Sequence, residues 1–267
     1  MVFYCTECRK ALGKPVLRSA FRNETRCCDD CKAQHNLSPE SPNYYLCIDI
    51  AYQIKMLLQD QDSLSRLLEN INTIENRNTT EDLSIWDIHD GELYWNISKE
   101  YGRRRKLLTL SVSTDGGVLF HNSKLGFWPL QITINELPVD LRFKNVMIAA
   151  LWTTETEPKS DFMNLYMSKF LKNLMRARVT VYSNIDQLLI EFKFLVLLVS
   201  TDSVARPIVQ NRMQFNAFQG CSWCYIHGRH IGGSMRYPMM EIDRELRSHE
   251  SHHVDVKDAK QTKKPIR

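Results

Sequence analysis

Two apolar runs in this chain end on the same three residues, Ser-Thr-Asp. Residues 107–115 read LLTLSVSTD, and residues 188–202 read LLIEFKFLVLLVSTD. Each run sets a carboxylate, Asp115 or Asp202, where a strand emerges into solvent. Two such strands in one sheet would bring the carboxylates together, and a carboxylate pair suits a hard divalent cation such as Mg2+ or Mn2+. A cation held that way assists phosphodiester cleavage. Each aspartate also has a purely local reading. Asp115-Gly116-Gly117 is a hairpin turn in its own right. Asp202 stands where it can cap the helix that follows it.

The cysteines offer a different chemistry. There are eight. Cys5-x2-Cys8 and Cys28-x2-Cys31 lie at the spacing of a four-thiolate structural zinc site, each pair forming one tight knuckle. Cys27 adjoins Cys28, but only Cys28 preserves the two-residue gap. The alternative is a set of free thiols in an unordered tail. A second pair, Cys221 and Cys224, is followed by His227, His230, His249, His252 and His253. With His249 and His252 it would make a Cys2His2 zinc site. Otherwise it is a lone turn with two free thiols.

The elements that must position these groups follow from apolar spacing. Residues 5–32 are polar and Cys-rich, and residues 36–43 (NLSPESPN) read as a linker. Residues 44–71 carry helical periodicity, with Asp62-Ser63 as the cap between two short helices. Residues 75–82 read as a loop, and 85–101 as an aromatic stretch with an Asp90-Gly91 turn. Residues 107–114 are a strand, turned at Asp115-Gly116-Gly117 into a return strand over 118–121. Residues 130–134 predict a third strand, and 146–152 a segment of either type. Residues 161–177 predict a helix with Lys169, Lys172 and Arg176 near its C-terminal end, as the helix dipole favours. Strands follow over 179–182 and 188–199, the second apolar enough to be central. A helix follows over 203–213, and beyond Gly220 the chain is polar. This order predicts an α/β or α+β fold with a mixed sheet.

Composition sets limits. The 267 residues are 43% hydrophobic and 25% charged, enough to bury a sizeable core. The net charge of +4 permits a nucleic-acid partner without demanding one. Basic groups gather at 103–106 and at Lys169, Lys172, Arg176 and Arg178, either as a solvated face or as a phosphate track. Trp128, Trp152 and Trp223 read as core or site-lining residues rather than base-stacking platforms. No apolar run approaches the roughly 20 residues of a membrane span, and residues 1–10 have no signal-peptide core. The expectation is an intracellular protein, in which the sequons at Asn78 and Asn96 are inert.

Three blocks carry a resemblance: SVSTDGGVLFHNSKLGFWPLQITINELP (111–138), TDSVARPIVQNRMQFNAFQGCSWC (201–224) and RYPMMEIDRELRSHESHHVDVKDA (236–259). Together they resemble the transposases of CACTA-type (En/Spm-like) DNA transposons, from about residue 85 onward. The resemblance implies an RNase H-like catalytic core with an acidic metal triad. Its first acid ends the first strand (Asp115) and its second follows the fourth (Asp202). It also implies a zinc-binding insertion from about residue 220, containing Cys221 and Cys224. The sequence departs from the family pattern at Val204, where a proline is usual. None of Glu241, Asp243, Glu245 and Glu250 aligns with the third acid, which relatives carry beyond the position of Arg267.

The expected organisation is a zinc-ribbon-like module over 1–35, a linker with short helices over 36–84, and a partial RNase H-like core over 85–267. The expected function is that of a transposase fragment, ancestrally a metal-dependent DNA nuclease and strand transferase, weak or inactive without its third acid. Structural Zn2+, catalytic Mg2+ or Mn2+, DNA as partner, self-association and a nuclear location follow from the resemblance. No membrane or small-molecule substrate is expected. The rival expectation is a non-enzymatic zinc-containing module that binds DNA or protein.

Overall fold

Alternating burial along residues 107–114 and 126–134 builds the centre of the molecule. The structure, a computed structural model, describes residues 1–41, 43–77, 84–101, 107–118, 125–155, 158–238 and 244–262. The basic run at 103–106, the sequon at Asn78, residues 119–121 of the expected return strand, and Glu241 and Asp243 lie outside them. Contacts divide the chain into two units, Met1–Thr156 with Tyr166–Ser200, and Glu157–Leu165 with Thr201–Arg267.

The first unit opens with β1 (Val2–Phe3), β2 (Glu24–Cys27), β3 (Gln34–Leu37) and β4 (Tyr44–Cys47). Helices α1 (Ile50–Gln59), α2 (Gln61–Arg77) and α3 (Glu92–Glu100) come next. Then follow β5 (Leu107–Thr114), β6 (Gly117–Val118), β7 (Gly126–Ile134), α4 (Val139–Lys144) and β8 (Met147–Thr154). Helix α5 (Ser160–Arg176) leads to β9 (Val179–Ser183) and β10 (Leu188–Ser200). One mixed sheet results, in the order β1-β4-β8-β7-β5-β10-β9, with β6 pairing β7. Among the described strands only β5 and β10 pair in parallel. A parallel neighbour needs a long crossover, which α5 and its flanks provide. Leu108, Leu110 and Val112 of β5, Leu130, Ile132 and Ile134 of β7, and Phe192 of β10 are fully buried. Burying each such side chain contributes about 1.5–3 kcal/mol. Tyr166 of α5 meets Tyr45 edge-on at 5.1 Å and donates its hydroxyl to the Trp128 carbonyl at 2.8 Å.

Several expectations change. Residues 44–47, expected to begin a helix, are strand β4, because Tyr45 is buried against β8 in register with Trp152. The helix breaks are capped by Asp49, which accepts the Tyr52 amide, and by Asp60, which accepts the Ser63 amide and hydroxyl at 3.0 and 2.7 Å. Asp62-Ser63 lies inside α2. The ambiguous segment at 146–152 is strand β8. The N-terminal module is not set apart: β1 pairs with β4 at the sheet edge. Met1, Phe3, Leu12, Phe21 and Leu37 share one apolar cluster with Cys5 and Cys28. Tyr44 and Leu46 of β4 pack against that cluster and join it to the sheet.

The second unit contains α6 (Ala205–Gln210), shorter than the expected 203–213 because Asn211 turns left-handed (φ 54°). A hairpin follows, β11 (Arg229–Ile231) with β12 (Ser234–Arg236), turned by Gly232 and Gly233 at φ 58° and 81°. A tight hairpin of this kind needs positive φ at both turn residues, which glycine supplies freely. The last element is α7 (His249–Thr262). Buried Asp255 ties this unit together, accepting from the Tyr225 hydroxyl at 2.8 Å and pairing with Arg247 at 3.1 Å and Arg212 at 3.5 Å. No described helix is long and apolar enough to cross a membrane.

Candidate functional site

The first site is the cysteine cluster in the first unit. The sulphurs of Cys5, Cys8, Cys28 and Cys31 all lie within 4.8 Å of one another. Cys5 and Cys31 are 3.4 Å apart, and Cys8 and Cys28 3.5 Å. Sulphurs bound to one zinc at about 2.3 Å in a tetrahedron stand about 3.8 Å apart, so the four thiols fit a metal such as zinc. The two knuckles repeat one design. The Arg9 amide bonds the Cys5 carbonyl at 3.0 Å, and the Lys32 amide bonds the Cys28 carbonyl at 3.0 Å. Each knuckle closes on a left-handed residue, Arg9 (φ 60°) or Lys32 (φ 62°). A hydrogen bond from the Cys31 amide is the main cause that lowers the Cys28 thiol to about 7. Cys27 stays outside the cluster, exposed, with its sulphur on the Lys32 carbonyl at 3.2 Å.

Sequence spacing did not point to His35. Hairpin β2–β3 pairs it with Arg26, and its Nε2 comes 3.2 Å from the Cys5 sulphur. Groups that hydrogen-bond to the ligands of a metal site from just outside it help to orient them, and His35 stands where it could do so. The short return strand after the second knuckle was the available signal.

The second cysteine pair is treated differently. Cys221 and Cys224 lie 3.5 Å apart. His252 Nδ1 is engaged by Arg212 Nη2 at 2.9 Å, while His249 and His253 meet through their Nε2 atoms at 3.0 Å. Among the described residues, the one group of three or more potential metal ligands is the N-terminal cysteine cluster. Neither His249 nor His252 therefore joins Cys221 and Cys224 in such a group.

The aspartates gain their significance from strand register. In the first unit, Val112 pairs with Val199 and Ser113 with Ser200. The two Ser-Thr-Asp triplets thus start in step on neighbouring parallel strands, with each aspartate two residues further along its chain. This alignment depends on a β-bulge in β10. Lys193 through Val196 pair with Leu107 through Leu110, and then Leu198 pairs with Ser111. Leu197 is the extra residue, packed with Ile74 and Tyr94. A bulge reverses the strand's alternation. Before it, Ile190, Phe192 and Phe194 point into the core. After it, Leu198 and Ser200 join Ser111, Ser113, Gln131 and Thr133 in lining a cavity of about 440 Å3.

Both local readings of the aspartates hold as well. Asp115 Oδ1 accepts the Gly116 amide at 2.7 Å. Asp202 Oδ1 accepts the amides of Val204 and Ala205 at 3.0 and 2.6 Å. Both side chains are exposed, and among the described residues neither Oδ2 has a hydrogen-bond partner.

Behind the cavity lies a buried polar cluster. Arg142 grips Asp87 with two bonds of 2.8 and 2.7 Å and donates to the carbonyls of Asn135 and Leu137. Burial would raise Asp87, but Arg142 and the Ile88 amide outweigh it and hold the carboxyl below its usual range. His89 Nε2 bonds the Asn135 carbonyl at 2.7 Å, and burial lowers its basicity. Glu136, wholly buried, accepts the Thr109 amide at 2.9 Å and its hydroxyl at 2.7 Å. Desolvation pushes its carboxyl up to about 7.

Compared with known proteins, the chain matches no protein-family model and no curated sequence.

Proposed function

We propose that the chain is a DNA-processing protein of the CACTA-type transposase kind, with Asp115 and Asp202 each a divalent-cation ligand in the first and second acidic roles that the resemblance implies. The observation that carries this reading is the in-step pairing of the two Ser-Thr-Asp strand ends. The sheet order supports it. Strands β5, β7 and β8 form an antiparallel meander, and β10 joins β5 in parallel after a helix. An RNase H-like core has this arrangement, with its first two acids at these strand ends. The donor chemistry agrees, since carboxylate oxygens suit Mg2+ or Mn2+, and the separate thiolates suit zinc.

In this reading Oδ1 of each aspartate is tied to backbone amides, which fixes the carboxylate and leaves its Oδ2 for a cation. Bound there, the cation would polarise a phosphodiester and favour attack on it. The cysteine cluster is the structural zinc site, and DNA is the partner, in the nucleus. We assign the third acidic role to none of the described residues. The reading is that of a metal-binding DNA-processing protein.

The test is Mn2+ binding to the zinc-loaded chain, read by electron paramagnetic resonance. We expect binding in the wild type and its loss in both Asp115→Asn and Asp202→Asn. Binding unchanged in both variants would refute the cation site. Salt-sensitive DNA binding that survives Asp115→Asn, with no Mn2+ bound, would favour the non-enzymatic module instead.

A further inference from the structure

We infer that Trp223 and Arg206 form a stacking platform for an unpaired nucleobase and its phosphate, beside Asp202. This rests on the reading of the chain as a DNA-processing protein. All three residues belong to the second unit. The three tryptophans read from sequence as core or lining residues now separate. Trp128 and Trp152 are buried at 7% and 5% exposure, whereas Trp223 is 70% exposed. Leaving so large an apolar ring in water forgoes its burial energy, which calls for a reason.

The ring is exposed on a rigid mount. Its amide bonds the Cys221 sulphur at 3.4 Å and its carbonyl accepts the Arg247 amide at 2.9 Å. Arg247 Nε holds the Cys221 carbonyl at 3.0 Å, and Cys224 bridges to Leu246. The Arg206 guanidinium lies 5.7 Å from the indole centroid. The Arg206 amide bonds the Asp202 carbonyl at 3.1 Å, so this cation stands one helical turn from the aspartate. Among the described residues its side chain has no hydrogen-bond or ion-pair partner, and its Nε is buried without one.

Trp86 provides the contrast. It is also exposed and lies 5.9 Å from a guanidinium, that of Arg77. That cation, however, is paired with Asp90 at 3.4 Å. At Trp223 the charge is left for a ligand. An aromatic face with an unpaired cation beside it suits a base that is out of the duplex stack, plus the phosphate attached to it. Intact duplex offers no free base face, so the platform selects single strands, frayed ends or extruded bases.

The experiment is fluorescence anisotropy of the full zinc-loaded chain with a labelled single-stranded 20-mer and with the blunt duplex of the same sequence. We expect preference for the single strand, lowered about tenfold or more by Trp223→Ala and Trp223→Leu and largely kept by Trp223→Phe. Arg206→Ala should weaken binding and flatten its salt dependence by about one phosphate contact, and Trp86→Ala should change nothing. Circular dichroism and retained zinc establish that each variant is folded. Wild-type affinity in Trp223→Leu, equal loss in Trp223→Phe, or preference for the duplex overturns the platform, as does absence of DNA binding. The Mn2+ measurement on the aspartate variants stands apart from these results and decides the wider reading by itself.

Discussion

Glu136 makes the stability of this protein fall as pH rises through the neutral range. The side chain is sealed beneath the sheet, and its carboxyl accepts from the amide and hydroxyl of one residue, Thr109, with Tyr94 beside it. Those bonds favour the charged form, but desolvation outweighs them and moves the carboxyl from its ordinary 4.5 to about 7. Below pH 4.5 both folded and unfolded chains carry the proton. Between 4.5 and 7 the unfolded chain releases it while the folded chain keeps it, so the folded state loses ground. Above 7 both are ionised and the loss is complete. At about 1.36 kcal/mol for each tenfold difference in proton affinity, the interval amounts to roughly 3 kcal/mol. The groups facing Glu136 do not cancel this. His89 is held neutral by burial and destabilises on the acid side, and Asp87 is held charged by Arg142. The assay is urea unfolding by circular dichroism from pH 4.5 to 8, on the wild type and Glu136→Gln. Gln imitates the protonated acid and cannot titrate, so terms common to both proteins drop out of the difference. We expect Glu136→Gln to gain about 3 kcal/mol relative to the wild type across that range. A difference that stays flat with pH would refute the reasoning.

Cys28→Ser should abolish the zinc retained by the N-terminal cluster, whereas Cys27→Ser should leave it intact. Zinc content by mass spectrometry after chelator challenge decides between the two neighbours. Arg142→Ala should destabilise the fold by about 3 kcal/mol or more, because it leaves Asp87 and two buried carbonyls without their donor. Arg142→Lys should recover little of it, since an ammonium cannot reproduce the two-pronged grip. Both are read by thermal denaturation, and full stability in Arg142→Lys would contradict the geometry.

Features carried by short spacing were legible in the sequence. Two Cys-x-x-Cys knuckles located the thiol cluster, and the gap of two chose Cys28 over Cys27. Apolar runs located β5, α5, β9 and β10. Features made by distant residues were not legible. Asp87, His89, Thr109, Asn135, Glu136 and Arg142 spread across 56 positions of a polar-looking sequence. Only the sheet and the turn into α4 bring them together. Glu136 follows the strand in Asn-Glu-Leu-Pro and reads as a surface residue, although the structure buries it. Residues 44–47 read as helix because a four-residue strand is too short to show its own period.

The bulge at Leu197 shows how register and function meet. Strict alternation from Ile190, Phe192 and Phe194 assigns every even-numbered residue of β10 to the core, Ser200 included. A chain built that way would bury Ser200, away from the face on which β5 carries Ser111 and Ser113. One extra residue removes the conflict. Leu197 satisfies its own burial against Ile74 and Tyr94, and the strand beyond it is reversed, so that Ser200 faces the same cavity as Ser113. Bulges locally break a ladder and leave a residue unpaired. Within the parallel pair this irregularity falls three residues before Ser200, which is where a change of face is needed for Ser200 to share the face of Ser113. The repeated tripeptide by itself is a coincidence of sequence. The bulge sets Ser113 and Ser200 in step, and its extra residue packs with Tyr94, which also hydrogen-bonds Glu136.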